Sequence, residues 1–82
     1  MKVRVKFFGP VAQLLGAREA EVELPESDLT CERLSAVLSV QQPRLREAFV
    51  KGRFAVNQEF AEASQRIGPR DEVAFIGVVS GG

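Results

Sequence analysis

Asp71-Glu72-Val73-Ala74-Phe75-Ile76-Gly77-Val78-Val79-Ser80-Gly81-Gly82 closes the 82-residue sequence, and its first half decides the fold. Glu72 to Ile76 form a near-continuous apolar run, entered from the turn-forming stretch Ile67-Gly68-Pro69-Arg70-Asp71. Such a run suits a strand covered on both faces, often a central one with a parallel neighbour. That neighbour lies at the other end of the sequence. Val3, Val5 and Phe7 alternate there with Lys2, Arg4 and Lys6, the period-two pattern of a half-buried strand. The main helix and later strands between the two supply the length that a parallel crossover requires.

Working outward, Gly9-Pro10 ends the first strand. Val11, Leu14 and Leu15 then follow helical spacing, with Pro10 suited to a first helical position and Gly16 to a cap. Ala20, Val22 and Leu24 alternate with Glu19, Glu21 and Glu23 in a second strand that stops at Pro25. Its acidic stripe complements the basic stripe of the first strand, and adjacency in sequence favours antiparallel pairing. Facing charges would contribute roughly 0.2–1 kcal/mol each; equally, both stripes could be solvated faces.

Thr30 is placed to cap the main helix, with Glu32 in its first turn and Leu34, Val37 and Leu38 as its apolar stripe. That helix ends before Pro43, which opens a further turn carrying Leu45 and Phe49. Phe54 and Val56 mark a third strand, Asn57-Gln58-Glu59 a turn, and Phe60 a brief fourth strand. One helix across such a mixed sheet of four to five strands, with short extra helices, is an α+β two-layer domain. Residues 1–76 make that domain, and residues 77–82 make a flexible tail.

Composition narrows the function. Eleven basic and eleven acidic residues give a formal net charge of zero, with no basic run or Lys/Arg-rich helix of the kind that binds nucleic acid. There is no histidine, and the lone Cys31 can form neither an internal disulfide nor a zinc-ligand set, so no metal is expected. No apolar segment approaches the ~20 residues needed to span a bilayer. The start of the sequence also lacks the apolar core of a signal peptide. A soluble cytoplasmic domain, meeting partners by shape and apolar contact, is the expectation.

The tail carries the functional signal. Six extended residues reach ~20 Å, and two terminal glycines can thread a channel too narrow for side chains. Gly-Gly alone would more often be a frayed terminus. Directly behind a strand that closes a small α+β domain, it is more specific.

The whole chain resembles the ubiquitin-like β-grasp fold and, more closely, the molybdopterin synthase small subunits, the sulfur carriers of molybdenum cofactor biosynthesis. The likeness rests on Val5-Lys6-Phe7-Phe8, Ala55-Val56-Asn57-Gln58-Glu59 and Asp71 to Phe75 leading into Val79-Ser80-Gly81-Gly82. It implies that Gly82 is the chemical site. A separate ATP-using activating enzyme would adenylate its carboxylate, and a persulfide sulfur would convert it to a thiocarboxylate. Ser80 and Gly81 would thread the tail into a pocket of the large, catalytic subunit, in a complex expected to be a heterotetramer. There the sulfur passes to cyclic pyranopterin monophosphate.

On this account the chain binds no cofactor and is not an enzyme by itself. The lack of any Gly-rich nucleotide loop or acid–base constellation fits that division of labour. The resemblance also assigns Phe7, Phe60, Phe75 and Val79 to the partner interface. Where the family usually has two prolines before its Ser/Thr-Gly-Gly end, this chain has Gly77 and Val78, a looser connection. A carrier for thiamine or tRNA thiolation, or a ubiquitin-like protein modifier, would share the same tail.

From the residues alone, each of those phenylalanines is a core side chain. Yet six phenylalanines, added to the leucine and valine stripes, are more than so small a core is expected to hold, and an exposed remainder would mark an interface. Asn57 suits a left-handed turn position. Arg4, Lys6 and Arg70 read as solvated charge. Cys31, near a helix start, reads as a small buried residue.

Overall fold

The computed structural model describes residues 1–25 and 28–77. Strand β1 (Lys2–Phe8) buries Val3, Val5 and Phe7 and exposes the residues between them. A short helix α1 (Pro10–Leu15) follows, with Pro10 in its first turn and Gly16 capping it at φ 70°. Strand β2 (Glu19–Glu23) runs antiparallel to β1. Across that pair Lys2 meets Glu21 at 3.6 Å, and Arg4 meets Glu19 and Glu21 at 3.7 Å. Pairs so exposed contribute little energy, on the order of 0–1 kcal/mol.

The main helix α2 (Cys31–Gln41) begins as its sequence predicts, with Thr30 Oγ1 accepting the Arg33 N–H at 3.2 Å. Leu34 and Leu38 are buried beneath it. A 3₁₀ turn at Pro43–Leu45 leads into helix α3 (Arg46–Lys51), which inserts Leu45 and Phe49 into the core. Ser35 ties the two helices by donating to the Phe49 carbonyl at 3.3 Å.

Beyond the helices, β4 (Arg53–Val56) and β5 (Glu59–Phe60) form a hairpin about Asn57 and Gln58, both at positive φ (53° and 69°). The final strand β7 (Val73–Ile76) pairs parallel with β1 and antiparallel with β4. The sheet order is therefore β2-β1-β7-β4-β5, with the C-terminal strand at its centre as the apolar run implied. A second ribbon pairs β3 (Leu29–Thr30) with β6 (Arg66–Ile67). The sequence pattern does not predict that ribbon, because two-residue strands have no periodicity to detect.

Strand β7 departs from the two-sided burial that its apolar run implied. The strand is covered on one face only: Val73 and Phe75 are buried, while Ala74 and Ile76 are part-exposed. The ring of Phe75 fills the inner side, 5.3 Å from Phe49 and 5.0 Å from Phe54, both edge-on. Gly52 is glycine because of this ring. A Cβ there would lie 2.2 Å from Phe75 Cζ, well inside contact distance.

Candidate functional site

Register sorts every side chain of the three central strands onto one of two faces. Phe7 opposes Phe75 and Phe54 opposes Phe75, so all three point inward to the helices. One residue further, Phe8 opposes Ile76, and Ile76 opposes Arg53, so these point outward. The next outward row is Lys6, Ala74, Ala55 and Phe60.

The outward rows form an open groove of about 390 Å³. Its floor is Ala55 and Ala74, the smallest side chains of the central strands. Phe8, Phe60 and Ile76 rise around that floor, and the Lys6–Glu72 pair (3.4 Å) closes one margin. Phe8 is 52% exposed and Phe60 60%. Two large aromatic rings left in water on one side of a small sheet are the mark of a docking surface.

Burial divides the interface set implied by the resemblance. Phe7 (3% exposed) and Phe75 (0%) are core residues and present nothing to a partner. Phe60 is on the open face. Phe8 and Ile76, each one position later than the one named, are the residues that line the open face instead. Their signal was present: Phe8 continues the Lys2-Arg4-Lys6 phase, and Ile76 is out of phase with Val73 and Phe75. Val79, Ser80, Gly81 and Gly82 lie outside the described residues.

What the structure does show is how the tail is rooted. Gly77 N–H donates to the Phe8 carbonyl at 3.1 Å, extending the β1–β7 ladder past Ile76. A proline there could not make that bond. Gly9, at φ 80°, packs against this root, and a Cβ on Gly9 would stand 3.0 Å from the Gly77 carbonyl oxygen. Gly77, the last described residue, thus lies beside Phe8 and Ile76 at one end of the groove.

Behind the opposite end, Asn57 joins the β4–β5 turn to the segment entering β7. Its side-chain amide donates to Asp71 Oδ1 at 3.0 Å, and its side-chain oxygen accepts the Glu72 N–H at 3.0 Å. Asp71 Oδ2 accepts the Gly68 N–H at 2.6 Å. These bonds, the Gly68 one first, hold the Asp71 carboxyl below its ordinary range. Asn57 therefore does more than tolerate a left-handed turn, since it anchors the start of the central strand.

Cys31 is buried, and burial pushes its thiol upward, away from a reactive thiolate. Among the described residues no cluster of His, Cys, Asp or Glu could hold a metal, and no helix is long and apolar enough to cross a membrane.

A five-stranded mixed sheet with its C-terminal strand central, and helices packed across one face, defines a ubiquitin-like β-grasp protein. Residues 5–82 match the ThiS family, and the chain belongs to it. It is 38% identical over 88 residues to the molybdopterin synthase sulfur carrier subunit of Mycobacterium tuberculosis, across 100% of this chain and 99% of that one. Among solved structures it resembles the putative molybdopterin converting factor subunit 1 of Pyrococcus furiosus, with 25% identity, a TM-score of 0.79, and coverage of 96% and 99%. The fold also matches, at 24% identity, a TM-score of 0.68 and full coverage of both chains, a protein in the complex of subunits 1 and 2 of the Helicobacter pylori molybdopterin-converting factor.

Proposed function

We propose that this chain is the sulfur-carrying small subunit of a molybdopterin synthase and works in the cytoplasm. The carrying observation is a conjunction. A family match running to Gly82 coincides with an exposed apolar groove beside Gly77, the root of the tail. The groove docks the large subunit, and the tail delivers the reactive group into that subunit's catalytic pocket.

The chemistry follows from the carboxylate. Carboxylate is a poor electrophile, so an activating enzyme joins Gly82 to the α-phosphate of ATP and releases pyrophosphate. A persulfide then displaces AMP, and reduction of the resulting acyl disulfide by a thiol leaves the thiocarboxylate. Its sulfur is softer and more nucleophilic than the oxygen it replaces, and it is given to cyclic pyranopterin monophosphate. ATP and the catalytic side chains belong to the partners; this chain contributes the docking face and the tail. Phe8, Phe60 and Ile76, around the alanine floor, make the docking contacts, within a heterotetramer of small and large subunits.

Intact-mass spectrometry tests the proposal after incubation with ATP, the cognate activating enzyme and a sulfur donor. The expected product carries one sulfur in place of one oxygen, and a variant lacking Gly82 shows no change. A full-length chain that stays unmodified while its activating enzyme turns over ATP would sink it. Thiolation without any association with a large synthase subunit would instead indicate a carrier for another thiolation pathway.

A further inference from the structure

Four basic side chains project from the outward positions of β1 and β4: Lys2, Arg4, Lys6 and Arg53. The first three each meet a glutamate at 3.4–3.7 Å. Arg53 does not. Among the described residues no ion pair involves it; its guanidinium carbon lies over the Phe60 ring, 4.5 Å from the centroid. The ring face attracts the cation and fixes its place, but leaves its N–H donors without a carboxylate.

Position makes this arrangement useful. Phe60 walls the groove, and Arg53, just outside its lining, is the β4 partner of Ile76, another wall, which precedes Gly77. A partner that fills the groove with an apolar side chain covers Phe60 and strips water from the adjoining guanidinium. A cation so desolvated costs free energy unless it is paired, whereas a carboxylate can take two parallel N–H bonds from it. Lysine offers a point charge without that fork.

We propose that Arg53, held over Phe60 at the groove rim, is a carboxylate-binding anchor that selects a large subunit presenting an Asp or Glu beside the apolar side chain that enters the groove. The inference rests on the proposed synthase function and adds the partner's required chemistry to it. It also gives Phe60 two roles, as a groove wall and as the platform that aims the cation.

The test is titration of the full-length chain against its cognate large subunit at several salt concentrations, with thermal melts to confirm folding. Arg53→Ala should raise Kd about tenfold and flatten the salt dependence, since one attractive charge pair is lost. Arg53→Lys should recover part of the affinity, and Arg53→Glu should weaken binding further, about 50-fold or more. Replacing the facing partner carboxylate with Arg should rescue Arg53→Glu, which a merely structural role for Arg53 would not allow. If wild-type protein binds and Arg53→Ala binds equally well with the same salt slope, the anchor is wrong and the synthase function stands. If wild-type protein does not bind the large subunit at all, the function fails and the anchor with it. Loss of binding only to the activating enzyme would overturn the choice of partner.

Discussion

The two faces of the central sheet are built from nearly the same residue types and do opposite work. Phe7 and Phe8 are neighbours in sequence, as are Phe75 and Ile76, yet Phe7 and Phe75 are sealed in the core while Phe8 is exposed and Ile76 part-exposed. On the inner face the rings of Phe7, Phe49, Phe54 and Phe75 pack against one another. On the outer face Phe8, Phe60 and Ile76 stand around a floor of alanine. The inner set holds the fold, and the outer set is available to a partner. Hydrophobicity alone does not distinguish them; the helix-covered side does.

This contrast is open to direct attack. The largest effect should come from Phe75→Ala, which empties a fully buried site and should cost about 3–5 kcal/mol in urea unfolding. That approaches the whole stability of a small domain. Phe8→Asp should leave the melting temperature nearly unchanged but weaken binding to the large subunit about 100-fold. If Phe8→Asp unfolds the chain, or Phe75→Ala spares stability, the division between faces is wrong.

Gly52→Ala tests the inner face more gently. Its new methyl must displace the Phe75 ring, at a cost of about 1–3 kcal/mol, while the outer groove and its binding are left intact. A neutral result would show that the ring is free to shift.

The smallest effect concerns Asp71, whose carboxyl is held low by the Gly68 N–H and then the Asn57 amide. A carboxyl lowered in the folded state stabilises it above the ordinary titration range and loses that contribution as pH falls through the folded value. Wild-type stability should therefore decline below about pH 4, and Asp71→Asn should show a flatter acid limb in urea midpoints measured across that range. An identical acid limb in both proteins would remove Asp71 as the cause.

Much of this molecule was legible from local pattern. The alternation in Lys2–Phe8 and Glu19–Glu23, the Thr30 cap, the break at Pro43 and the Asn57 turn are each set by residues close in sequence. The apolar run ending at Ile76 correctly implied a central strand parallel to the first. It misled about coverage because an apolar residue facing a groove looks the same, in sequence, as one facing a helix. The β3–β6 ribbon was hidden for a different reason: its two short strands are defined by the partner they meet across the chain.

By itself the sequence determined most of the local elements, the neutral charge balance and a Gly-Gly end that lies within the family match. Tertiary structure decided which of two adjacent aromatic residues is core and which is surface, and it laid Arg53 over Phe60 beside the root of the tail. The physical reason is that alternation along a strand is a local property with two equivalent phases. The phase becomes inside or outside only when strands from opposite ends of the chain pair and the helices cover one face.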